Sequence, residues 1–174
     1  MLKIIGIVVV VAIAAALIYA STRPDTFHVE RTTAIAAPAD LIFQHINDLH
    51  AWEAWSPYVK LDPAMKTRYS GAASGAGAIY EWEGNSNVGA GRVTITDSTA
   101  DRISIKLDML RPFAASNDVA FILQPNGTTT NVTWAMDGRN TLLSKVIGMF
   151  MNMDTMVGGQ FEEGLANLKG VVEK

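Results

Sequence analysis

The sequence of 174 residues contains no cysteine and no excess of positive charge. Without cysteine the chain cannot form disulfides, a thiolate nucleophile, a cysteine-ligated zinc or iron-sulfur site, or the modified cysteine of a bacterial lipoprotein. Its 14 Lys and Arg residues are scattered, and 17 Asp and Glu residues give a net charge of -3. This balance offers no basic surface to phosphate backbones, so we predict that the protein does not bind nucleic acid.

The sequence also lacks the common motifs for phosphate binding, metal binding and nucleophilic catalysis. Segment 71–77 (GAASGAG) has neither the Lys-Ser/Thr ending of a phosphate-binding loop nor a following helix, which predicts a loop between strands. His45 and His50 would point about 140° apart on a helix, and no third ligand accompanies them. No nucleophile-elbow sequence is present. We therefore predict no metal and no cofactor, and the sequence identifies no catalytic residue.

One long hydrophobic run is present, at the N-terminus. Residues 4–20 read IIGIVVVVAIAAALIYA, which is close to the roughly 20 residues that a helix needs to cross a bilayer. A buried helix of a soluble domain would carry a polar stripe, and this run has none. We predict a transmembrane anchor over residues 1–21, with Ile4, Val10 and Leu17 in lipid and Tyr19 at the headgroup level.

The same run is also similar to the apolar part of a secretory signal peptide, which is usually about 7–15 residues long. The present run is longer, and cleavage after Ala20 would place Ile18 where a small residue is preferred. We therefore favour an uncleaved anchor over a signal segment. Lys3 on one side, and Arg23 balanced by Asp25 on the other, favour a cytoplasmic N-terminus and a domain on the outer, periplasmic or extracytoplasmic side.

A linker over residues 22–26 and one domain over residues 27–174 are predicted to follow. A strand is expected over residues 27–36, then a helix opened by Pro38, then a short helical piece that carries Trp52 and Trp55 and ends before Pro57. Turn residues separate a series of strands between residues 67 and 140. Their short connections predict an antiparallel sheet.

Alternation along these strands predicts one apolar face. Tyr80 and Trp82 alternate with Glu81 and Glu83, which favours solvated carboxylates over a catalytic pair. On the last strand the residues that share the apolar face are Val132, Trp134 and Met136. Asn126-Gly127 predicts a hairpin turn with positive φ at both central positions. The best polar cluster for enzyme chemistry is Asp137, Arg139 and Asn140, although an Asp-Gly turn is the simpler explanation of these residues.

From residue 141 the apolar spacing becomes helical. It predicts one long amphipathic helix whose apolar stripe contains Phe150, Met153, Val157, Phe161, Leu165 and Leu168. Gly158-Gly159 predicts a bend in this helix or a close approach to the sheet. The methionines at 149, 151, 153 and 156 suit either an adaptable ligand wall or ordinary core filling.

This order of elements is typical of a helix-grip fold, an α+β architecture in which a curved antiparallel sheet of about seven strands wraps a long C-terminal helix. Three motifs carry a family resemblance: Pro38-x-x-x-Ile42-Phe43-x-x-Ile46-x-Asp48-x-x-x-Trp52-x-x-Trp55-Ser56-Pro57, Tyr80-x-Trp82-x-Gly84, and Phe161-Glu162-x-Gly164-Leu165-x-x-Leu168. They resemble the SRPBCC superfamily, which includes START-related lipid carriers, pollen-allergen-like proteins and polyketide cyclase/dehydrase-like proteins.

The resemblance implies a hydrophobic cavity between the sheet and the C-terminal helix. The lining residues that it implies here are Tyr80, Trp82, Trp134, Met136, Met153, Val157 and Phe161. Trp52 and Trp55 are candidates for the mouth of this pocket, and packing beneath the sheet is the simpler interpretation of both.

Three functions remain open at this point. The favoured one is a membrane-anchored binding domain for a small hydrophobic or lipid-like molecule, with no protein partner identified. The second is an enzyme of the polyketide cyclase/dehydrase kind, which requires polar groups inside the cavity. The third is an interaction or envelope-stress domain without a ligand, which would have a filled core.

Overall fold

A seven-stranded antiparallel sheet and a C-terminal helix form the body of the protein. The computed structural model describes residues 2–149 and 152–174, and the side chains of Leu2 and Met153 lie outside the described part. The elements in chain order are α1 (Leu2–Ser21), β1 (Thr26–Ile35), α2 (Ala39–Asn47), a 3-10 helix (Leu49–Ala54), α3 (Pro57–Leu61), β2 (Lys66–Gly71), β3 (Ala78–Glu83), β4 (Ala90–Thr99), β5 (Arg102–Arg111), β6 (Ala115–Asn126), β7 (Thr129–Arg139), α4 (Leu142–Ile147) and α5 (Met153–Val172).

The strand order is β1-β7-β6-β5-β4-β3-β2, and every neighbouring pair is antiparallel. Strands β2 to β7 follow one another through short loops, which is the arrangement that their short connections predicted. β1 pairs with β7, so the first and last strands of the domain meet at one edge of the sheet. α5 lies across the inner face and contacts β1 and β7. The predicted helix-grip fold is confirmed.

The apolar stripes of the sheet and of α5 meet in the core. Phe121, Leu123 and Val132 alternate with more exposed residues on β6 and β7 and are almost completely buried. Leu165 and Leu168 of α5 are also buried. A helix that presents one apolar stripe to one apolar sheet face removes both from water, which is the main driving force for this fold.

The C-terminal helical region is two helices rather than one. Thr141 caps α4 because its side chain accepts a hydrogen bond from the Ser144 amide at 3.1 Å, and Asn152 caps α5 by accepting from the Thr155 amide at 3.3 Å. The prediction of one continuous helix from residue 141 was therefore wrong, because these side chains satisfy the free amides that open a new helix. Phe150, one member of the predicted stripe, lies outside the described residues.

α5 runs without interruption through Gly158 and Gly159. A Cβ atom at Gly158 would collide with the guanidinium of Arg31 on β1, whereas a Cβ at Gly159 meets nothing within 4 Å. The alternative of a close approach to the sheet is confirmed for Gly158. The Arg31 guanidinium is held there by Asp154 at 3.0 Å and Glu162 at 2.6 Å, both on α5.

Two local predictions differ from the structure, and a third is extended by it. The β6–β7 turn has Gly127 at φ 63°, and no non-glycine residue in the described part has positive φ, so the positive φ expected at both turn positions was wrong. A glycine at the first central position alone is typical of a type II′ turn. The short helical piece ends at Ala54, before Pro57 as predicted, and Pro57 then begins α3, an additional helix that its fixed φ allows at a first helical position. Gly138 belongs to β7 rather than to an Asp-Gly turn.

α1 is the one helix in the described residues that is long and apolar enough to cross a membrane. Its side chains from Ile4 to Tyr19 are exposed almost throughout, including Ile4, Val10, Leu17 and Tyr19 themselves. Ala20, at the end of the helix, is buried, and α1 contacts α4. The exposed apolar surface of α1 is thus continuous for most of its length.

Candidate ligand-binding cavity

A cavity of about 340 Å³ lies between the inner face of the sheet, α3 and α5. Strands β3 to β7 supply most of its wall, α5 supplies one side, and α3 with the β3–β4 loop supplies another. The lining residues are Trp52, Ser56, Tyr58, Val59, Met65, Tyr80, Trp82, Asn87, Val88, Val93, Ile105, Leu107, Met109, Ala115, Asn117, Val119, Trp134, Met136, Val157 and Phe161.

The lining is apolar and uncharged. Its described residues include no Asp, Glu, Lys, Arg or His, and the polar ones are Ser56, Tyr58, Asn87, Asn117 and the tyrosine at position 80. Burial, with a smaller effect of the Glu53 carboxylate, raises the pKa of the Tyr80 hydroxyl to about 12. This phenol is therefore neutral near pH 7, and it donates or accepts hydrogen bonds without acting as a base.

Aromatic rings make one wall of the cavity rigid. Trp134 stacks on Phe161 of α5 with ring centroids 4.3 Å apart and planes 10° apart. Phe121 lies behind Trp134 at 4.8 Å, and Trp55 is edge-on to it at 5.7 Å. Such aromatic pairs add stability beyond the area that they bury. The wall is therefore held in place by aromatic packing within the protein.

Two glycines leave room for the indole rings of this wall. A Cβ atom at Gly164 would lie 2.6 Å from Trp134, and a Cβ at Gly91 would lie 2.5 Å from Trp82. Gly91 is the cross-strand partner of Trp82, whose ring covers the glycine backbone. Trp82 is further oriented by its Nε1–H, which donates to the Val88 carbonyl at 3.1 Å.

One polar group in the wall is unsatisfied. The Nε1–H of Trp134 is buried and finds no acceptor among the described residues. Asn117, only 7% exposed, is the buried amide side chain in the lining. A buried donor without a partner costs free energy, so each such group in a folded protein calls for an explanation.

The structure brings together most of the residues expected in the pocket. Those that line the cavity are Tyr80, Trp82, Trp134, Met136, Val157, Phe161 and Trp52. The Met153 side chain lies outside the described residues. Trp55 is not in the lining: it is 1% exposed, packs in the core, and donates its Nε1–H to the His45 carbonyl at 3.1 Å.

Two groups of lining residues escaped the sequence analysis. The first lies on the inner face of the central strands and includes Val93, Ile105, Leu107 and Val119. Their alternation was visible, but periodicity alone does not tell a cavity wall from a filled core. The second group, in α3 and the β3–β4 loop, includes Tyr58 and Val88, and segments this short have no periodic signal.

The polar candidates lie away from the cavity. Glu81 is on the outer face, within 2.8 Å of both Arg68 and Arg92, and hydrogen bonds from these guanidinium groups hold the pKa of its carboxyl below the ordinary value. Glu83 pairs with Arg111 at 3.1 Å. The two carboxylates therefore have separate cationic partners, which is the solvated arrangement expected on this face.

The cluster near the end of β7 has a structural role. The exposed Asp137 carboxylate lies 2.8 Å from His28 on β1, and this hydrogen bond raises the pKa of the imidazole. Asn140 donates to the carbonyls of Pro24 and Thr26, so it attaches the end of β7 to the segment before β1. Arg139 is the cross-strand partner of Thr26 and also lies outside the cavity lining.

His45 and His50 do not form a metal site. No group of three or more His, Cys, Asp or Glu side chains in the described part of the chain is placed to hold a metal ion. His50 stacks on Tyr69 with ring centroids 4.0 Å apart, and its Nδ1 lies 3.0 Å from Asp48. The backbone carbonyl of His45 accepts the hydrogen bond from the Nε1–H of Trp55.

The comparison with known families decides the classification of the chain. A family model described as "Polyketide cyclase / dehydrase and lipid transport" matches residues 26–173. The chain belongs to this family. The match covers the whole sheet and α5, and with the fold it confirms the resemblance to the SRPBCC superfamily. No curated protein matches this member of the polyketide cyclase/dehydrase and lipid transport family in sequence.

Solved structures share the fold of this family member at low sequence identity. Protein CV1439 from Chromobacterium violaceum is 13% identical with a TM-score of 0.61, covering 87% of this chain and 99% of its own. Aha1 from Colwellia psychrerythraea is 13% identical with a TM-score of 0.60, over 84% and 96%. The di-domain ARO/CYC StfQ of the steffimycin biosynthetic pathway is 10% identical with a TM-score of 0.61, over 86% and 51%.

Proposed function

We propose that this protein is a membrane-anchored binding domain that encloses one small hydrophobic or lipid-like molecule between the sheet and α5. The observation that carries this proposal is the uncharged, largely apolar cavity of about 340 Å³. This volume is at the lower end of the roughly 300–1,000 Å³ typical of small-molecule sites. Removing apolar ligand surface from water then supplies most of the affinity.

The polar groups of the wall favour a ligand that carries at least one hydrogen-bonding group. The polar side chains in the lining are Ser56, Tyr58, Tyr80, Asn87 and Asn117, of which Asn117 on β6 is 7% exposed. A hydroxyl or carbonyl on an otherwise apolar molecule fits such a wall, because a few polar groups fix orientation in most apolar pockets.

Anchoring through α1 is the second part of the proposal. An exposed apolar helix of 20 residues is stable in a bilayer, where its backbone groups are satisfied internally. The N-terminus is assigned to the cytoplasm and the domain to the outer side, on the small charge difference around α1. A domain held beside a bilayer has ready access to hydrophobic molecules.

The test is a cavity-filling substitution in the full chain purified in detergent. Leu107→Trp places a large ring in the cavity, and Leu61→Trp makes the same change at an exposed position outside the lining. We expect the wild type and Leu61→Trp to bind cis-parinaric acid and to retain a hydrophobic adduct in native mass spectrometry. Leu107→Trp should lose both signals while keeping its circular dichroism spectrum. Equal binding by all three proteins would refute the proposal.

A cyclase/dehydrase-like enzyme is the second candidate, favoured by membership of the family. Acid–base catalysis needs a group that titrates near the working pH, and the described lining contains only neutral hydroxyl, amide and indole groups. Binding is therefore the better-supported function. A ligand-free interaction domain is disfavoured by the cavity itself, since such a domain gains stability from a filled core.

A further inference from the structure

The strands and loops define two ends of the sheet. Because neighbouring strands are antiparallel, the start of β1 lies at the same end as the end of β7, the start of β6 and the end of β5. We call this the anchor end, since α1 leads into it through residues 22–25. The connections at this end are the α3–β2 segment, the β3–β4 loop, the β5–β6 loop at 112–114 and the segment from β7 to α4. The turns at 72–77, 100–101 and 127–128 lie at the opposite end.

Large exposed apolar side chains gather at the anchor end. Leu110, near the end of β5, is 62% exposed, Phe113 in the β5–β6 loop is 57% exposed, and Leu142 and Leu143 at the start of α4 are each 52% exposed. Within the described residues, the three turns at the opposite end expose no large apolar side chain. Clustered exposed apolar groups mark a surface that contacts something less polar than water.

α1 places this end beside the bilayer that it is proposed to span. Four residues separate α1 from β1, which allows at most about 18 Å between Ser21 and Thr26. The ammonium of Lys145 on α4 is bonded to Asp25 in this linker, and the Lys145 side chain is only 8% exposed. α4 also contacts α1. These contacts hold α4 close to the end of the membrane helix.

The mouth of the cavity is at the same end. The most exposed residues of the lining are Tyr58 on α3, Asn87 in the β3–β4 loop and Ala115 at the start of β6. These three positions surround the opening, and Ala115 lies two residues from Phe113. The exposed apolar side chains therefore stand beside the opening of the cavity.

We infer that the anchor end docks into the interface of this bilayer, with Leu110, Phe113, Leu142 and Leu143 inserted and the cavity mouth facing lipid. The inference rests on the proposed membrane anchor and adds the route of the ligand, which passes from the bilayer into the cavity without crossing water. A lipid surface fits better than a second copy because the apolar side chains continue the exposed apolar surface of α1.

The docking is apolar in character. Lys145 is paired with Asp25, and Arg111 is paired with Glu83 at 3.1 Å, whereas Arg23, Lys66 and Arg139 at the same end form no ion pair with a carboxylate of the described residues. Cationic side chains near a bilayer are attracted to anionic headgroups. We therefore expect the apolar side chains to dock the domain on neutral phosphatidylcholine membranes, and anionic lipid to add a salt-sensitive attraction.

The absence of cysteine allows single-site labelling of the full chain. The environment-sensitive fluorophore NBD is attached to Phe113→Cys and Leu143→Cys, to Ala100→Cys in the opposite turn, and to Ile13→Cys in the middle of α1. Each protein is reconstituted in phosphatidylcholine vesicles that contain lipids spin-labelled near the headgroup or deep in the acyl chain. The measurements are the emission shift and the quenching of each label.

We expect the labels at 113 and 143 to shift to the blue and to be quenched by the shallow spin label. The Ala100→Cys label should behave as in water, and the Ile13→Cys label should be quenched by the deep one. If the labels at 113 and 143 show the same emission and quenching as the label at 100, while the Ile13→Cys label is quenched, the docking is overturned and the anchor is retained. An unquenched Ile13→Cys label overturns the anchor independently of the result at the other sites. Blue-shifted labels without quenching would mean that a second copy covers this surface, which also overturns the inference.

A functional measurement accompanies the labels. Phe113→Ser removes one inserted side chain, and the loss lowers the equilibrium constant for docking about tenfold. Transfer of cis-parinaric acid from the vesicles to the cavity should slow by up to the same factor, while the affinity measured in detergent stays unchanged. Leu41→Ser, at an exposed position on α2, is the control and should transfer at the wild-type rate. Equal rates for both variants contradict the proposed route.

Discussion

Gly164 of α5 provides a quantitative test of how the cavity wall is packed. A methyl group at this position would lie 2.6 Å from Cζ3 of Trp134 and 3.1 Å from Cδ of Pro57. Neither neighbour yields easily, because Trp134 is 4% exposed and stacked on Phe161, and Pro57 is buried. Gly159, in the same helix, has nothing within 4 Å of the corresponding position and serves as the control.

The two substitutions share one effect and differ in another. Replacing a helical glycine by alanine stabilises the helix by about 1 kcal/mol, so Gly159→Ala should raise the free energy of unfolding by about that amount. Gly164→Ala gains the same helical term but overpacks the wall, which costs about 1–3 kcal/mol. The two variants should therefore differ by about 1–3 kcal/mol, and the Gly164→Ala variant should be the less stable.

The assay is urea unfolding of the full chain in detergent, followed by tryptophan fluorescence, with free energies from linear extrapolation. Thermal unfolding gives a second measure, since about 1 kcal/mol corresponds to about 2–4 °C in a chain of this size. Gly164→Ala should also weaken cis-parinaric acid binding, because the displaced indole ring forms part of the cavity wall. Equal stability of the two variants would refute the packing described around Trp134.

Two further predictions concern the core and the pH dependence. Phe121→Ala, at a fully buried position, should lower the free energy of unfolding by about 3–5 kcal/mol, whereas Phe113→Ala, at a position 57% exposed, should change it by less than about 0.5 kcal/mol in the same urea assay. Because Asp137 raises the pKa of His28 in the folded state, the stabilisation from this pair is fully present below the unfolded pKa of 6.5 and is lost as pH rises through the higher folded value. His28→Gln should therefore lower the melting temperature more at pH 5.5 than at pH 8.5, and an equal effect at both would contradict the role assigned to the pair.

Secondary structure, and the side of the sheet on which each strand residue lies, were predictable because both depend on short-range patterns. Alternation placed Tyr80 and Trp82 on one face and Glu81 on the other, and the cavity lining and the outer-face ion pairs agree with that assignment. The break between α4 and α5 was missed, because one Asn side chain at position 152 outweighs a continuous apolar spacing. The turn at Gly127 was found, but its backbone type was not.

Roles that depend on neighbours distant in sequence were not predictable. Trp52 and Trp55 have the same side chain and are three residues apart, yet Trp52 lines the cavity and Trp55 is enclosed by Phe121 and Trp134. Gly158 and Gly159 are adjacent in sequence, and only the first faces Arg31 on β1. The division of the chain into an anchor over residues 1–21, a linker and a domain remains a prediction, as does the orientation of α1.

The sequence by itself determined the strands, most of the helices, the apolar faces and the resemblance to the superfamily, because periodicity and motif spacing are properties of neighbouring residues. The tertiary structure alone decided that the faces leave a void, which side chains line it, and that the most exposed of them lie at the same end as α1. These properties depend on how strands and helices distant in sequence meet. An identical apolar pattern can close into a filled core or surround a cavity, and only the packing of α3 and α5 against the sheet distinguishes them.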